Sequence, residues 1–302
     1  MNSCQGWLNI YKPKGYSSFA VVRKIKNKFS IDKIGHGGTL DPLAEGVLPI
    51  AIGKATKLIP FINSNIKEYE FEIKWGEQTT TDDSEGKIIE RSSKIPSNSD
   101  IKKALNNFIG ETFQKPPKAS AVKINGIRAY KLLRENKEFE TKPKKVFIRS
   151  LKILNLKKKL LTKIAIQCSK GFYIRSFARD IAEKLNTKAH IYSLKRTKVG
   201  KFNLNNANLL DDVIKIRQTL SEFNGFHSSI SMLDDILAYE IREENVKYCI
   251  SQGKMIKINS DQLFDPPFNS SDGKVVFLTE KGNVISFGKL DGDLFKPEKV
   301  LI

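Results

Sequence analysis

Cysteine is scarce: three residues in 302, at Cys4, Cys168 and Cys249, with no CxxC pair among them. That excludes a disulfide framework and a cysteine-rich zinc site, and leaves three reduced thiols as the expectation. Histidine is equally rare, at three residues, and none stands at metal-ligand spacing from a cysteine. No run approaches the 18 or more apolar residues of a membrane span, so no membrane partner is expected. The start, MNSCQGWLNIYKPKG, has neither the apolar middle nor the cleavage site of a signal peptide, and the expected location is the cytoplasm. Acidic residues are too few to balance the basic ones. Fifty-two Lys and Arg against 33 Asp and Glu leave a net charge of +19, a field that attracts polyanions.

The basic residues cluster. Gln114 to Arg134 holds six basic residues and no acidic one; Lys142 to Lys163 holds nine and again none. Such stretches suit a surface that contacts nucleic-acid phosphates.

Periodicity sorts the elements. Residues 7–11 read as a strand, and Ser17 or Ser18 as the cap of a helix with Val21, Val22, Ile25 and Phe29 on one face. Residues 35–46, GHGGTLDPLAEG, carry four glycines and a proline and read as a loop. In EYEFEIKW (68–75), Tyr69, Phe71, Ile73 and Trp75 share one face and charged residues the other, the mark of a half-covered strand. Ser99 is expected to cap a helix that Gly110 stops. A basic excursion with a short helix at 130–133 fills 114–145. Strands follow near 146–156 and 161–168, then a helix carrying Ile174, Phe177, Ile181 and Leu185, and a strand at 191–202. The tail from Asp272 to Ile302 reads as β-structure with a hairpin at Lys281-Gly282-Asn283. The expected class is α+β, strands in hairpins with helices between.

Few residues draw attention by chemistry alone. Asp41 sits among glycines before a proline, so a tight backbone displays its carboxylate, though Asp-Pro pairs commonly do no more than start turns. His36 lies in the same loop. Asp82 and Asp83, in TTTDDSEGK, read as a solvated turn without the further ligands a metal-dependent nuclease needs. Arg175 and Arg179 share a helix face, where surface ion pairing is the plain alternative to function. Tyr69 fits a core position.

GHGGTLDPLAEGVLPIAIGKATKL at 35–58 closely resembles the catalytic loop of the TruB family, the bacterial tRNA pseudouridine synthases that act on uridine 55. WLNIYKPKGYSS, EYEFEIKWGEQTTTDDSEGKI, KPPKASAVKINGIRAYKLLR, CSKGFYIRSFARDIAEKL and AHIYSLKRTKVGKF resemble its other blocks, in order, over about residues 6–202. The resemblance implies a pseudouridine-synthase fold: a mixed, mainly antiparallel sheet flanked by helices. It implies a catalytic domain over 1–240, with 114–145 as an RNA-gripping insertion, and a small C-terminal PUA-like RNA-binding domain over 241–302. It implies a tRNA partner held by the T-arm, a monomer, and neither cofactor nor metal, because the isomerisation gains and loses no atom.

It also implies roles. Asp41 matches the nucleophile; carboxylates, with an ordinary pKa of about 3.9, are ionised at neutral pH without a partner base. Tyr69 matches the tyrosine that stacks on the flipped base, and Arg175 the arginine paired with the nucleophile. Tyr173 and Leu194 match substrate-contacting positions, and His36 the histidine that enters the T-loop. Two departures stand out. Gly37 replaces the usual threonine, which is expected to loosen the loop that carries His36. Glu45 puts a charge four residues from Asp41, where an inward orientation would raise the nucleophile's pKa. A non-catalytic RNA-binding or tRNA-folding protein is the competing reading of the same charge pattern.

Overall fold

A computed structural model describes residues 4–62, 66–158, 160–233, 236–259, 263–264 and 275–302. Lys159 of the second basic run and Asp272–Lys274 of the expected β-tail lie outside the described residues.

Eleven strands form one sheet. Along its main path run Asn208–Leu209, Gly6–Lys12, Glu45–Ile52, Ala189–Val199, Ile66–Trp75, Leu161–Ser169, Lys144–Lys158 and Gly110–Gln114. Two of these pairings are parallel, Gly6–Lys12 with Asn208–Leu209 and Glu45–Ile52 with Ala189–Val199; the other five are antiparallel. The expected mixed, mainly antiparallel sheet is what forms.

Alternation decides which face each strand covers. In Gly6–Lys12, Leu8 and Ile10 join the core beneath the helices, while Trp7 points to the opposite face. Glu45–Ile52 divides in the same way: Leu48, Ile50 and Ile52 on one side, Val47 and Ala51 on the other. These two strands are buried on both faces; the second therefore carries the continuous apolar run VLPIAI, while the first interposes the buried Asn9. Ile66–Trp75 keeps one face polar, with Tyr69, Phe71, Ile73 and Trp75 inward. Trp75 Nε1 donates to Thr162 Oγ1 of the next strand at 2.9 Å.

Helices α1 (Ser18–Lys28), α2 (Asn98–Asn106) and α3 (Ile174–Lys184) supply Val21, Ile25, Ile101, Leu105, Phe177 and Ile181 to the core on that first face. Ser17 caps α1, its side chain accepting from the Ala20 amide at 3.1 Å. The cap of α2 is Ser97, not Ser99: its Oγ accepts from the Asp100 amide at 3.2 Å and donates back to the Asp100 carboxylate at 2.6 Å. That reciprocal pair fixes the helix start two residues earlier. Gly110 does not stop the helix, which ends at Asn106; Gly110 opens the edge strand.

A second, six-stranded sheet begins with Ala238–Glu240 and holds the expected hairpin, Val276–Glu280 with Asn283–Asp291. Lys281 and Gly282 both have positive φ (47° and 74°), the backbone of a tight two-residue hairpin turn. This sheet is not a pendant. Its Ala238, Phe277 and Val284 share one buried cluster with Trp7, Val47, Ala51 and Val199 of the large sheet. Trp7 Nε1 also donates to the Ser229 carbonyl at 2.9 Å.

Candidate active site

The loop between the short strand Ile34–His36 and the strand Glu45–Ile52 carries Asp41. Several bonds fix it. Ser18 Oγ accepts from the Leu40 amide at 2.8 Å and donates to the Leu40 carbonyl at 3.0 Å. The Gly15 amide donates to Pro42 O at 2.8 Å. Lys12, fully buried, donates from Nζ to Tyr16 O at 2.5 Å, to Pro13 O at 3.1 Å and to Pro42 O at 3.4 Å. Burial pushes its pKa down to about 8, opposed by the nearby Asp41 charge. The lysine-proline segment thus clamps the loop that displays the carboxylate.

Asp41 Oδ2 lies 2.9 Å from Arg175 Nε. Arg175 is itself held in place: it donates to the carbonyls of Thr81 and Ala119, both at 3.0 Å, and its Nε is 3.6 Å from Asp83 Oδ2. The turn with Asp82 and Asp83 is therefore not solvated, contrary to the sequence expectation. Both residues are buried, because the turn docks on the strand Ala189–Val199 through Ser84 N to Ile191 O (2.9 Å) and Ile191 N to Asp82 O (3.0 Å). Asp82 pairs with Arg179 at 3.0 Å. Each arginine holds one buried carboxylate, Asp83 or Asp82, besides a more exposed one, Asp41 or Asp180. Among the described residues, no group of three or more His, Cys, Asp or Glu is placed to hold a metal ion.

Asp41 and Arg175 open into a cavity of about 600 Å³ whose walls include Tyr69, Tyr173 and Leu194, a volume usual for small-ligand pockets. Five of the six sequence candidates meet there. Tyr69 and Leu194 come from neighbouring strands, with Leu194 opposite Phe71 and Arg196 opposite Tyr69. Tyr69 is buried, and desolvation pushes its pKa up while Arg196 beside it pulls the other way. Tyr173 is fixed by Gln114: its amide donates to Gln114 Oε1 at 2.8 Å, and Gln114 Nε2 donates back to its carbonyl at 3.1 Å. The basic excursion overhangs the cavity and adds Ser120, Tyr130 and Arg134 to its wall.

His36 is the candidate that does not line the cavity. Its Nδ1 is buried with no hydrogen-bond partner among the described residues, and burial, then Arg196, lowers its pKa, which favours the neutral ring at pH 7. Gly37 does not loosen this loop. It is buried with an ordinary φ, its amide donates to Pro49 O at 2.8 Å, and a Cβ there would come 2.6 Å from Ile62 Cδ1. The side-chain space is filled by Ile62. Glu45 turns away from Asp41 and pairs with Lys195 at 2.9 Å.

Four residues of the site escaped the sequence reading: Lys67, Asp83, Gln114 and Arg196. Lys67 lines the cavity, and its pKa falls to about 8, first from burial and then from Arg196 and Lys170. The remaining group acting on it, the Cys168 thiol, is pushed up to about 12 by burial and is neutral below that pH. An unfolded lysine titrates near 10.4. Between about pH 8 and 10.4 the unfolded chain binds the extra proton, so this group makes stability rise with pH across that window. The urea midpoint of the wild type should climb from pH 8 to 10 by more than that of Lys67→Met; equal climbs would contradict the assignment.

Residues 26–174 match the family described as TruB family pseudouridylate synthase, N-terminal domain. A tRNA pseudouridine synthase B of Wolbachia pipientis is 47% identical over 71% of this chain, a match that spans 61% of that relative. That of Rickettsia akari is 39% identical over 97% of both chains. Among solved structures, a chain of a Cbf5–Nop10–Gar1 complex superposes with a TM-score of 0.73 at 22% identity, over 98% of this chain and 85% of that one. At that identity the likeness concerns the fold, which is that of the pseudouridine synthases. On the Rickettsia match, which runs nearly end to end, the chain belongs to the TruB family of pseudouridylate synthases.

Proposed function

We propose that this protein converts uridine 55 in the T-loop of tRNA to pseudouridine, in the cytoplasm, as a monomer and without a cofactor. The observation that carries the reading is the Asp41 carboxylate held 2.9 Å from a buried arginine in a cavity walled by Tyr69, Tyr173 and Leu194. The near-full-length likeness to tRNA pseudouridine synthase B supports the substrate.

The chemistry breaks the bond from ribose C1′ to uracil N1, turns the base, and joins C1′ to C5. The C5 proton leaves and N1 takes one up, so nothing is gained or lost overall. Asp41 is the nucleophile toward the target nucleotide, and Arg175 aims it by charge and by geometry. The target base leaves its stack at a cost of a few kcal/mol, which stacking on Tyr69 and contacts with Tyr173 and Leu194 offset. Tyr69 is also placed to take part in removing the C5 proton. The apolar wall keeps the detached base from escaping into water.

His36, outside the cavity, suits contact with nucleotides beside the target rather than with the target itself. The excursion over 114–145 grips the T-arm through its lysines, which position the RNA while the loop shape is read in the pocket. Residues 1–240 form the catalytic domain and 241–302 a small PUA-like domain that adds RNA contacts.

Tritium at uracil C5 reports the reaction. A T-arm stem-loop labelled there should release tritium to water on incubation with the wild type, without added metal. Tight binding with no release would overturn the enzyme in favour of an RNA-binding or tRNA-folding protein.

A further inference from the structure

Among the described residues, Lys67 on the wall of the cavity and Arg196 buried behind Tyr69 have no counter-ion. Lys67 stands two residues before Tyr69, on the same side of its strand, and among the described residues its Nζ has no hydrogen bond or ion pair. Arg196 is fully buried; its Nε donates to Val47 O at 2.8 Å and one terminal nitrogen to Gly38 O at 3.0 Å, and it stands opposite Tyr69 on the neighbouring strand. Two carbonyls accept from it but do not neutralise its charge. The two side chains converge. A Cβ built on Gly38 would lie 3.1 Å from Lys67 Nζ and 3.5 Å from Arg196 Nη1, and Gly38, at φ +111°, supplies none.

Holding two like charges together out of water is unfavourable unless something negative joins them. Asp41 is not that group, since it is engaged with Arg175. Its charge acts on Lys12, Tyr69 and Tyr173, whereas the groups acting on Lys67 are Arg196, Lys170 and Cys168. Lys67 lines the cavity together with Ser169 and Gly171, with Lys170 exposed between those two, and its Nζ meets Arg196 at Gly38. A nucleotide that enters base-first leaves its phosphodiester at the rim, because the backbone remains joined to the rest of the RNA.

We propose that Lys67, backed by Arg196 and joined by Lys170 at the rim, binds one backbone phosphate flanking the nucleotide whose base enters the cavity. The inference rests on the reading of RNA as the substrate. Lys67 draws the phosphate by direct contact, and Arg196 adds a fixed positive field from behind. The site counts a charge on the backbone and reads no base.

The test is a coupling between one lysine and one phosphate. Affinities are measured in an Asp41→Asn background, so that no turnover intervenes, with T-arm stem-loops carrying a neutral methylphosphonate immediately 5′ or 3′ of the target uridine. Lys67→Met should weaken binding of the natural stem-loop on the order of tenfold and lower the slope of log affinity against log salt by about one. On one of the two neutralised RNAs its effect should shrink to less than about twofold, and Lys67→Arg should retain most of the natural affinity. An undiminished effect on both neutralised RNAs would overturn the proposal. So would unchanged affinity combined with slower single-turnover tritium release when Asp41 is present, which would assign Lys67 to the detached base. Should the methionine variant lose cooperative unfolding, Lys67→Gln is read in the same cycle. The two readings fail separately. Absent tritium release by the wild type sinks the reaction and leaves the coupling standing; absent coupling with release intact sinks only the phosphate site.

Discussion

Asp41→Asn should abolish tritium release from T-arm RNA, by on the order of 10⁴-fold or more, while leaving RNA affinity within about threefold. The amide keeps the size of the carboxylate and can stay in the loop that Ser18, Gly15 and Lys12 hold. What it loses is the proposed nucleophile and the charge 2.9 Å from Arg175 Nε. On the proposed reading binding is carried by the basic excursion and by the rest of the cavity wall, whose side chains the substitution leaves in place. The measurement is single-turnover release at saturating enzyme, with affinity read separately by anisotropy. A residual rate within about tenfold of the wild type would mean that another group attacks the nucleotide, and would remove Asp41 from the mechanism.

Arg175→Met should cost the fold as well as the reaction. The guanidinium meets two carboxylates and two carbonyls at 2.9–3.6 Å, and Asp83 is only 4% exposed at its side chain. Removing the arginine leaves that carboxylate buried with its cation gone, a class of change that costs about 3–5 kcal/mol. The urea unfolding midpoint should fall accordingly. Adding Asp83→Asn should recover at least about 1 kcal/mol, because the stranded charge then disappears with its partner. Arg175→Lys should not restore activity, since a single ammonium cannot span both carboxylates and both carbonyls. A loss below about 1 kcal/mol for Arg175→Met, with no recovery in the double variant, would show that Asp83 is neutral or solvated in the folded protein.

Much of this site was legible in the residues. The glycine-proline setting drew attention to Asp41 and alternation put Tyr69 on the inward face of its strand, but only the resemblance to the TruB family marked either as a site residue. Arg175 stood at helical spacing on a helix whose start was clear, though its partners were not. Asp83 misled because a polar TTTDDS turn looks solvated until it docks on residue 191, more than a hundred positions along the chain. Arg196 was hidden by irregularities in its strand's pairing between Ile191 and Ser193 and between Arg196 and Lys198, which defeat simple odd-even counting. Lys67 carried a usable signal: it shares the parity of Tyr69 and Phe71, so a charge there falls on the inward side of the strand. Gln114 sits at the end of an edge strand, and nothing local marks it as the residue that fixes Tyr173. The expectation about Gly37 failed for another reason. A glycine suggests freedom, but here it is a slot occupied by the Ile62 side chain.

The apolar cluster that joins Trp7, Val47 and Ala51 to Phe277 and Val284 sets a mechanical condition on the whole molecule. Interiors packed in this way are stiff and transmit strain, so the smaller sheet cannot swing on a hinge as a tethered arm would. On the proposed reading, a helix of RNA resting on it is measured, as by a calliper with its jaws locked, against the position of the carboxylate, and an arm of the wrong length would be presented out of reach.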